Sequence, residues 1–349
     1  VVEDLALQED HDRSRYMIGR VQKTAPVAPW TPDVTFWCPV FMESWGPWRT
    51  AMGGCGGSEE AGVYLSTELA KLGLNVQVFA PLDRALHRGV HVQDRVRWFP
   101  LEALDPVAEL KGYVIAHRAP WAARLPPFPL DRTYVWHQDA SYTSGQWDLN
   151  IAKALRSLFV SRWQKGELLR VLGVNDAVRA PDVDEWGVVC GDAIPETATN
   201  WAPDVERDPA ACVYISSPLR GLGALLDLWP NILARAESGN KAVLHVYYGW
   251  ETAHPAAMQQ RAIISRMVST TPRVRWHGRI SQGELEAVLP TMGVWLYPCQ
   301  FPEGYCIAGV RAAAAGLVPA YRRTAALPEI QIPSPFSVHE VAGPVFFAS

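Results

Sequence analysis

Residues 294–321 limit the possible folds more than any other stretch of this chain. Val294 to Tyr297 is an apolar run of strand length, followed by a loop holding Pro298, Pro302 and Gly304. An Ala-rich helix through 308–315 then stops near Gly316, and a second short strand runs from Leu317 to Tyr321. Apolar strand, loop, helix and apolar strand in that order form the unit of a buried parallel sheet. The helix start is also a ready anion site, because its first N–H groups have no intrahelical partner and the helix dipole is positive there. Glu303 stands just ahead of it. A carboxylate beside an anion site suits a ligand that carries hydroxyls as well as phosphate.

The same unit recurs along the chain. Val34 to Phe41 (VTFWCPVF) is a strand that Pro39 interrupts. An aperiodic loop with Trp45-Gly46-Pro47-Trp48 leads to Gly53-Gly54-Cys55-Gly56-Gly57. A helix is predicted over 58–72, with Ser58 as N-cap and Gly73 as C-cap, and a strand over 76–80. Further strands are predicted at 96–99, 113–116, 133–136 and 157–160, the last followed by a helix to about Leu172. Residues 180–209 lose periodicity and are rich in Pro, Asp and Glu. The pattern then resumes with strands at 212–216, 243–247 and 273–276 and helices at 222–236 and 281–289. The expected organisation is an N-terminal arm (1–32), a first Rossmann-like domain (33–190), a linker (191–209) and a second Rossmann-like domain (210–349). The fold class is α/β, with two such domains facing across a cleft at the carboxyl ends of their strands.

Composition narrows the function. At 349 residues there is room for two domains, and 48% hydrophobic with 19% charged residues is globular. A net charge of −4 argues against a nucleic-acid partner. No apolar run approaches the roughly 20 residues that span a bilayer. Residues 1–30 hold no signal-peptide core, and the absence of an initiator Met is expected of a start that is processed, trimmed or renumbered. The six cysteines include no CxxC pair, so zinc-finger spacing is absent and a reducing, cytoplasmic setting is expected.

Four features can carry chemistry. The glycine run 53–57 lets the backbone approach a ligand, although the nicotinamide fingerprint fails because Glu59 stands where its third glycine belongs. Arg220-Gly221 follows a strand and can hold a diphosphate, or be a solvated loop arginine. Glu303 can accept from hydroxyls, or only complement a helix dipole. His117 and His137 each follow a strand and can meet a substrate hydroxyl, or be structural. Asp182-Val183-Asp184 matches a metal-binding DxD, but Pro181 and the linker-like setting do not make the end of a buried strand, so no metal is assigned.

Taken in order, these landmarks resemble the retaining GT-B glycosyltransferases of family 4, over roughly residues 34–330. MGGCGGSEEAGVYLSTELAKLGLNVQVFAP is similar to the family's glycine loop, and YISSPLRGLGALLDLWPNI to its phosphate-binding strand–loop–helix. VLHVYYGW with RVRWHGRISQGELEAVL resembles the two units beside the base, and FPEGYCIAGVRAAAAGLVPAY the E-x7-E segment. The resemblance implies sugar transfer from a nucleotide-diphosphate sugar to an acceptor hydroxyl, with retention and without catalytic metal or cofactor. It implies catalytic roles for His117, Arg220 and Glu303. Donor contacts would come from Gly56, Gly57, Arg279, Ile280, Tyr305, Cys306, Ile307 and Arg311, with His277 to Ile280 facing the base. Trp48, Arg118, His137, Asp139 and Tyr142 would form the acceptor side. Arg311 departs from the pattern: the family's second Glu falls there, and an arginine cannot accept from ribose hydroxyls. A GT-B epimerase and a non-catalytic sugar-nucleotide binder are the alternative readings.

Overall fold

The computed structural model describes residues 30–39, 44–82, 90–105, 110–118, 128–139, 156–174, 183–199, 205–235, 241–249 and 255–330. Most of the expected arm, Asp182 and Tyr142 lie outside them. The described residues from Pro32 onward form one compact unit built on two sheets.

In the first half, β1 (Val34–Trp37), α1 (Pro47–Met52), α2 (Gly57–Lys71), β2 (Val76–Ala80), β3 (His91–Gln93), β4 (Val96–Pro100), β5 (Tyr113–His117), β6 (Thr133–Trp136), β7 (Arg156–Phe159) and α3 (Arg162–Val171) follow in order. β8 (Val183–Asp184) and β9 (Gly187–Val189) complete a sheet of order β3-β4-β2-β1-β5-β6-β7-β9-β8. Its interior pairs are parallel, and only the β3–β4 and β8–β9 edges are antiparallel. The second half holds β10 (Asp208–Tyr214), α4 (Leu222–Arg235), β11 (Val243–Tyr247), α5 (Pro255–Thr270), β12 (Val274–Gly278), α6 (Gln282–Val288), β13 (Met292–Tyr297), α7 (Ile307–Ala314) and β14 (Val318–Tyr321). These strands form a fully parallel sheet of order β12-β11-β10-β13-β14.

The strands form where the apolar runs are, because a parallel strand must cover both faces. All five residues of β2 are buried. Where a polar residue falls in such a strand it finds a cross-strand partner: Thr35 lies opposite Gln77, whose Nε2 donates to Thr35 Oγ1 at 2.9 Å. One core gathers Phe36, Trp45, Val78 and Trp98, and the other Tyr214, Trp229, Leu244 and Trp295.

Several elements differ from the sequence reading. The Pro47–Met52 segment is a helix rather than an aperiodic loop, started by Pro47 at its first position and packed inward through Trp48. Gly56, not Ser58, is the N-cap of α2, and Ser58 lies inside the helix. Helix α5 and strand β3 have no counterpart in that reading, and the aperiodic stretch after residue 180 contributes β8 and β9 to the first sheet. Glu329, beyond the second sheet, reaches back to the first half. Its carboxylate accepts from the N–H groups of Arg162 (2.8 Å) and Trp163 (2.6 Å), capping α3 beside Ser161.

Candidate functional site

A cavity of about 390 Å³ opens between the two halves. The glycine loop forms one wall. Gly54 has φ +71, a left-handed backbone that favours glycine, and a Cβ there would stand 3.4 Å from the Ile280 carbonyl of the opposite half. Gly57 opens α2 directly against Ile307. The other wall is the start of α7. Its cap residue, Cys306, gives no side-chain bond, and Tyr305, Cys306, Ile307 and Ala308 all line the cavity. The anion site expected from the sequence therefore faces open space.

Arg220 sits on a single 3-10 turn (Pro218–Arg220) after β10. Gly221 follows with φ +106, and a Cβ there would come within 3.0 Å of the Pro298 carbonyl, so the turn needs glycine. This turn aims the Arg220 guanidinium at Glu303, with 3.0 Å between Nη1 and Oε1, and over the Phe301 ring at 3.5 Å from its centroid. Tyr297 Oη donates to the same Glu303 oxygen at 2.5 Å. Burial raises the Glu303 carboxyl above its usual value, and the Arg220 charge pulls it back. The two residues expected to bind phosphate and sugar hydroxyls thus hold each other in the unliganded protein.

At the end of β5 and β6 the cavity is lined by Arg118, Gln138 and Asp139. Arg118, with φ +52, pairs with Glu59 and with Asp139, each at 3.0 Å. The histidines just before these residues do not line the cavity. His117 is 1% exposed, wedged against Trp45 and Trp136, and burial followed by the Arg118 charge pushes it down to about 3. His137 continues the ladder, its N–H donating to Leu158 O at 2.9 Å, so its side chain turns into the sheet beside Ser157 and Phe159. Burial lowers it too, to about 3. Trp48 is packed edge-on to His91 in the first core and also stands away from the cavity.

Arg279 and Ile280 line the cavity, with Arg279 5.3 Å from the Tyr248 ring centroid. His277 is exposed and hydrogen-bonds across the strand pair to His245 at 3.0 Å. Arg311 lies among the cavity residues, but its partners are two carboxylates, Glu60 of the first half and, at 3.0 Å, Glu286, together with the Tyr64 hydroxyl at 3.2 Å. Among the described residues no three His, Cys, Asp or Glu side chains come together in a way that could hold a metal ion.

Sequence reasoning missed Glu60, Gln138, Asp192 and Gln282, all at the cavity. For Gln138 the signal was strand alternation: if His137 packs inward, its neighbour faces the cleft. Asp192 accepts from Gln138 Nε2 at 2.9 Å, and burial pushes its carboxyl up to about 7 against that hydrogen bond. A value raised in the fold means the neutral acid is favoured there, so its stabilising share is present at low pH and is lost as pH rises from about 4 through 7. Asp192→Asn, neutral throughout, is therefore expected to gain a few kcal/mol over the parent at pH 8, at most about 4, and to lose that advantage by pH 4. Urea denaturation of both proteins at the two pH values checks this; a pH-independent difference would refute it.

No family model matches the sequence, and no curated protein does. Solved structures do match. HepE of Anabaena in complex with UDP and glucose superposes with a TM-score of 0.58 at 12% identity, covering 85% of this chain and 82% of that one. The fold is GT-B. AviGT4, a glycosyltransferase involved in avilamycin A biosynthesis, gives 0.54 at 16% identity over 86% and 81%. Sucrose-phosphate synthase from Thermosynechococcus elongatus gives 0.56 at 11% over 84% and 82%. In GT-B terms, the cavity described above is the cleft between the two Rossmann-like halves.

Proposed function

We propose that this GT-B chain is a retaining glycosyltransferase of family 4 type, moving a hexosyl group from a nucleotide-diphosphate sugar to an acceptor hydroxyl without a catalytic metal. The observation that carries the reading is the Arg220–Glu303 pair beside the uncapped start of α7, in a cleft walled on its far side by a glycine loop. A diphosphate entering the cleft competes with Glu303 for the Arg220 guanidinium and takes the free N–H groups of the helix. Glu303 is then released to accept from sugar hydroxyls. The acceptor hydroxyl attacks from the face the diphosphate leaves, and a phosphate oxygen takes its proton. Arg220 and the α7 dipole stabilise the charge that builds on the leaving group. His117 stays neutral beneath Arg118 and helps shape that wall. Arg118, Gln138 and Asp139 would meet the acceptor. The solved structure of HepE with UDP and glucose supports this choice of donor class, and the six unbridged thiols fit a reducing, cytoplasmic setting.

A thermal-denaturation series with UDP, GDP and ADP and their glucose conjugates tests the reading. A ligand bound only by the folded protein at about 100 times its Kd adds about 2.7 kcal/mol of stability. At least one of these ligands is expected to raise Tm. No shift with any of them would overturn the assignment.

A further inference from the structure

The transfer chemistry leaves Glu60, a polar group of the cleft, unused. Glu60 belongs to α2 of the first half, yet both its oxygens face the second half. Oε1 accepts from Arg311 Nη2, and Oε2 accepts from Gln282 Nε2 at 3.1 Å. Arg311 also donates to Glu286 at 3.0 Å and to Tyr64 Oη at 3.2 Å. Glu60 and Arg311 are only 3% and 2% exposed, and both are cavity residues, as is Gln282. Two buried polar atoms in this cluster have no partner: the Arg311 Nε donor and the Gln282 Oε1 acceptor.

A buried donor and a buried acceptor left unpaired each cost free energy until a ligand supplies the complement. A hydroxyl both donates and accepts, and a carboxylate oxygen keeps a second lone pair after one bond. A donor, an acceptor and a carboxylate side by side therefore match a pair of adjacent hydroxyls. The cluster's place fits the proposed donor. Gln282 is two residues from Ile280 and three from Arg279, which lead to the Tyr248 ring, and Arg311 is one helical turn beyond Ile307 at the anion site. Between an aromatic ring and a diphosphate, a nucleotide carries its ribose.

We propose that Glu60, Gln282 and Arg311 form a subsite for the vicinal diol of the donor's ribose, completed across the cleft by the first half. This rests on the nucleotide-sugar reading above. Arg311 does not replace the missing acceptor: it positions Glu60, which supplies one from the opposite wall. The orphan atoms are closed to water in the unliganded protein, so the diol reaches them by displacing the Gln282 amide from Glu60.

The test is calorimetry on the full chain with UDP, GDP and ADP and with their 2′-deoxy forms. The wild type is expected to prefer the ribonucleotide by at least about tenfold, as sites built to bond a hydroxyl reject analogues lacking it. Glu60→Gln should shrink that ratio to within about threefold while changing the affinity for the deoxy form little. Gln282→Ala, at a less buried position, should shrink it in the same direction and serves if Glu60→Gln fails to fold. Equal wild-type affinity for both forms, or an unchanged ratio in the variants, overturns the subsite and leaves Glu60 as an ion-pair partner alone. Failure of the wild type to bind any of the three ribonucleotides instead overturns the nucleotide-sugar reading, and the subsite with it.

Discussion

Arg220→Ala and Glu303→Ala are each expected to lower kcat/KM for sugar transfer by more than about tenfold, with the far-ultraviolet circular dichroism unchanged. The two losses have different causes. If the proposed transfer holds, removing Arg220 takes the positioned cation from the leaving diphosphate, and removing one such stabilising group commonly costs about a hundredfold in rate. Glu303 is also left buried with, among the described residues, only the Tyr297 hydroxyl and the Cys299 thiol donating to it, so its carboxyl rises further and accepts less well at neutral pH. Arg220→Ala should therefore move the acid limb of the pH–rate profile upward as well as lowering the plateau. Glu303→Ala keeps the phosphate cation and removes the sugar contact, so its loss should fall on kcat once donor is saturating. Near-normal turnover in both variants would sink the assignment.

Arg311→Ala is expected to be the most destabilising single truncation in the cleft, by about 3–5 kcal/mol, the usual cost of removing one partner from a buried ion pair. Two carboxylates, Glu60 and Glu286, share that guanidinium, and both halves of the protein lose the contact at once. The urea midpoint should fall at constant slope. Arg311→Ala combined with Glu60→Gln should recover part of the loss, because one of the stranded charges is gone. A midpoint within error of the wild type for Arg311→Ala alone would show that solvent or another cation already serves these carboxylates.

Much of the architecture was legible because parallel strands buried on both faces read as unbroken apolar runs: Val34, Phe36, Val76 and Val78 are all buried in the first core. Helix α5 was harder to read. Its inward side, Ile264, Met267 and Val268, keeps helical spacing, but Ile263 is exposed and blurs the pattern. The six-residue α1 is too short for any period to show. The placement of Arg220, Glu303 and the glycine loop at the cavity was readable because each is local, a loop directly between a strand and a helix. That His137 packs beside the sheet rather than at the cavity depends on strand-end parity, and that Trp48 packs into the core depends on the short helix α1, neither of which shows in the local sequence. The Glu60–Arg311 pair joins positions 251 apart, and nothing in either neighbourhood names the other.

The carboxylate cap that Glu329 places on α3 has a consequence for synthesis on the ribosome. Arg162 and Trp163 leave the exit tunnel 167 and 166 residues ahead of the side chain that bonds them. The strands of the first sheet that flank α3, β7 and β9, lie within a few tens of residues of it and can pair while translation continues. Until Glu329 emerges, Ser161 alone caps the helix through its bond to the Gln164 N–H. The nascent first half is thus built to wait with one end of α3 open to water, and the last described segment of the chain closes it.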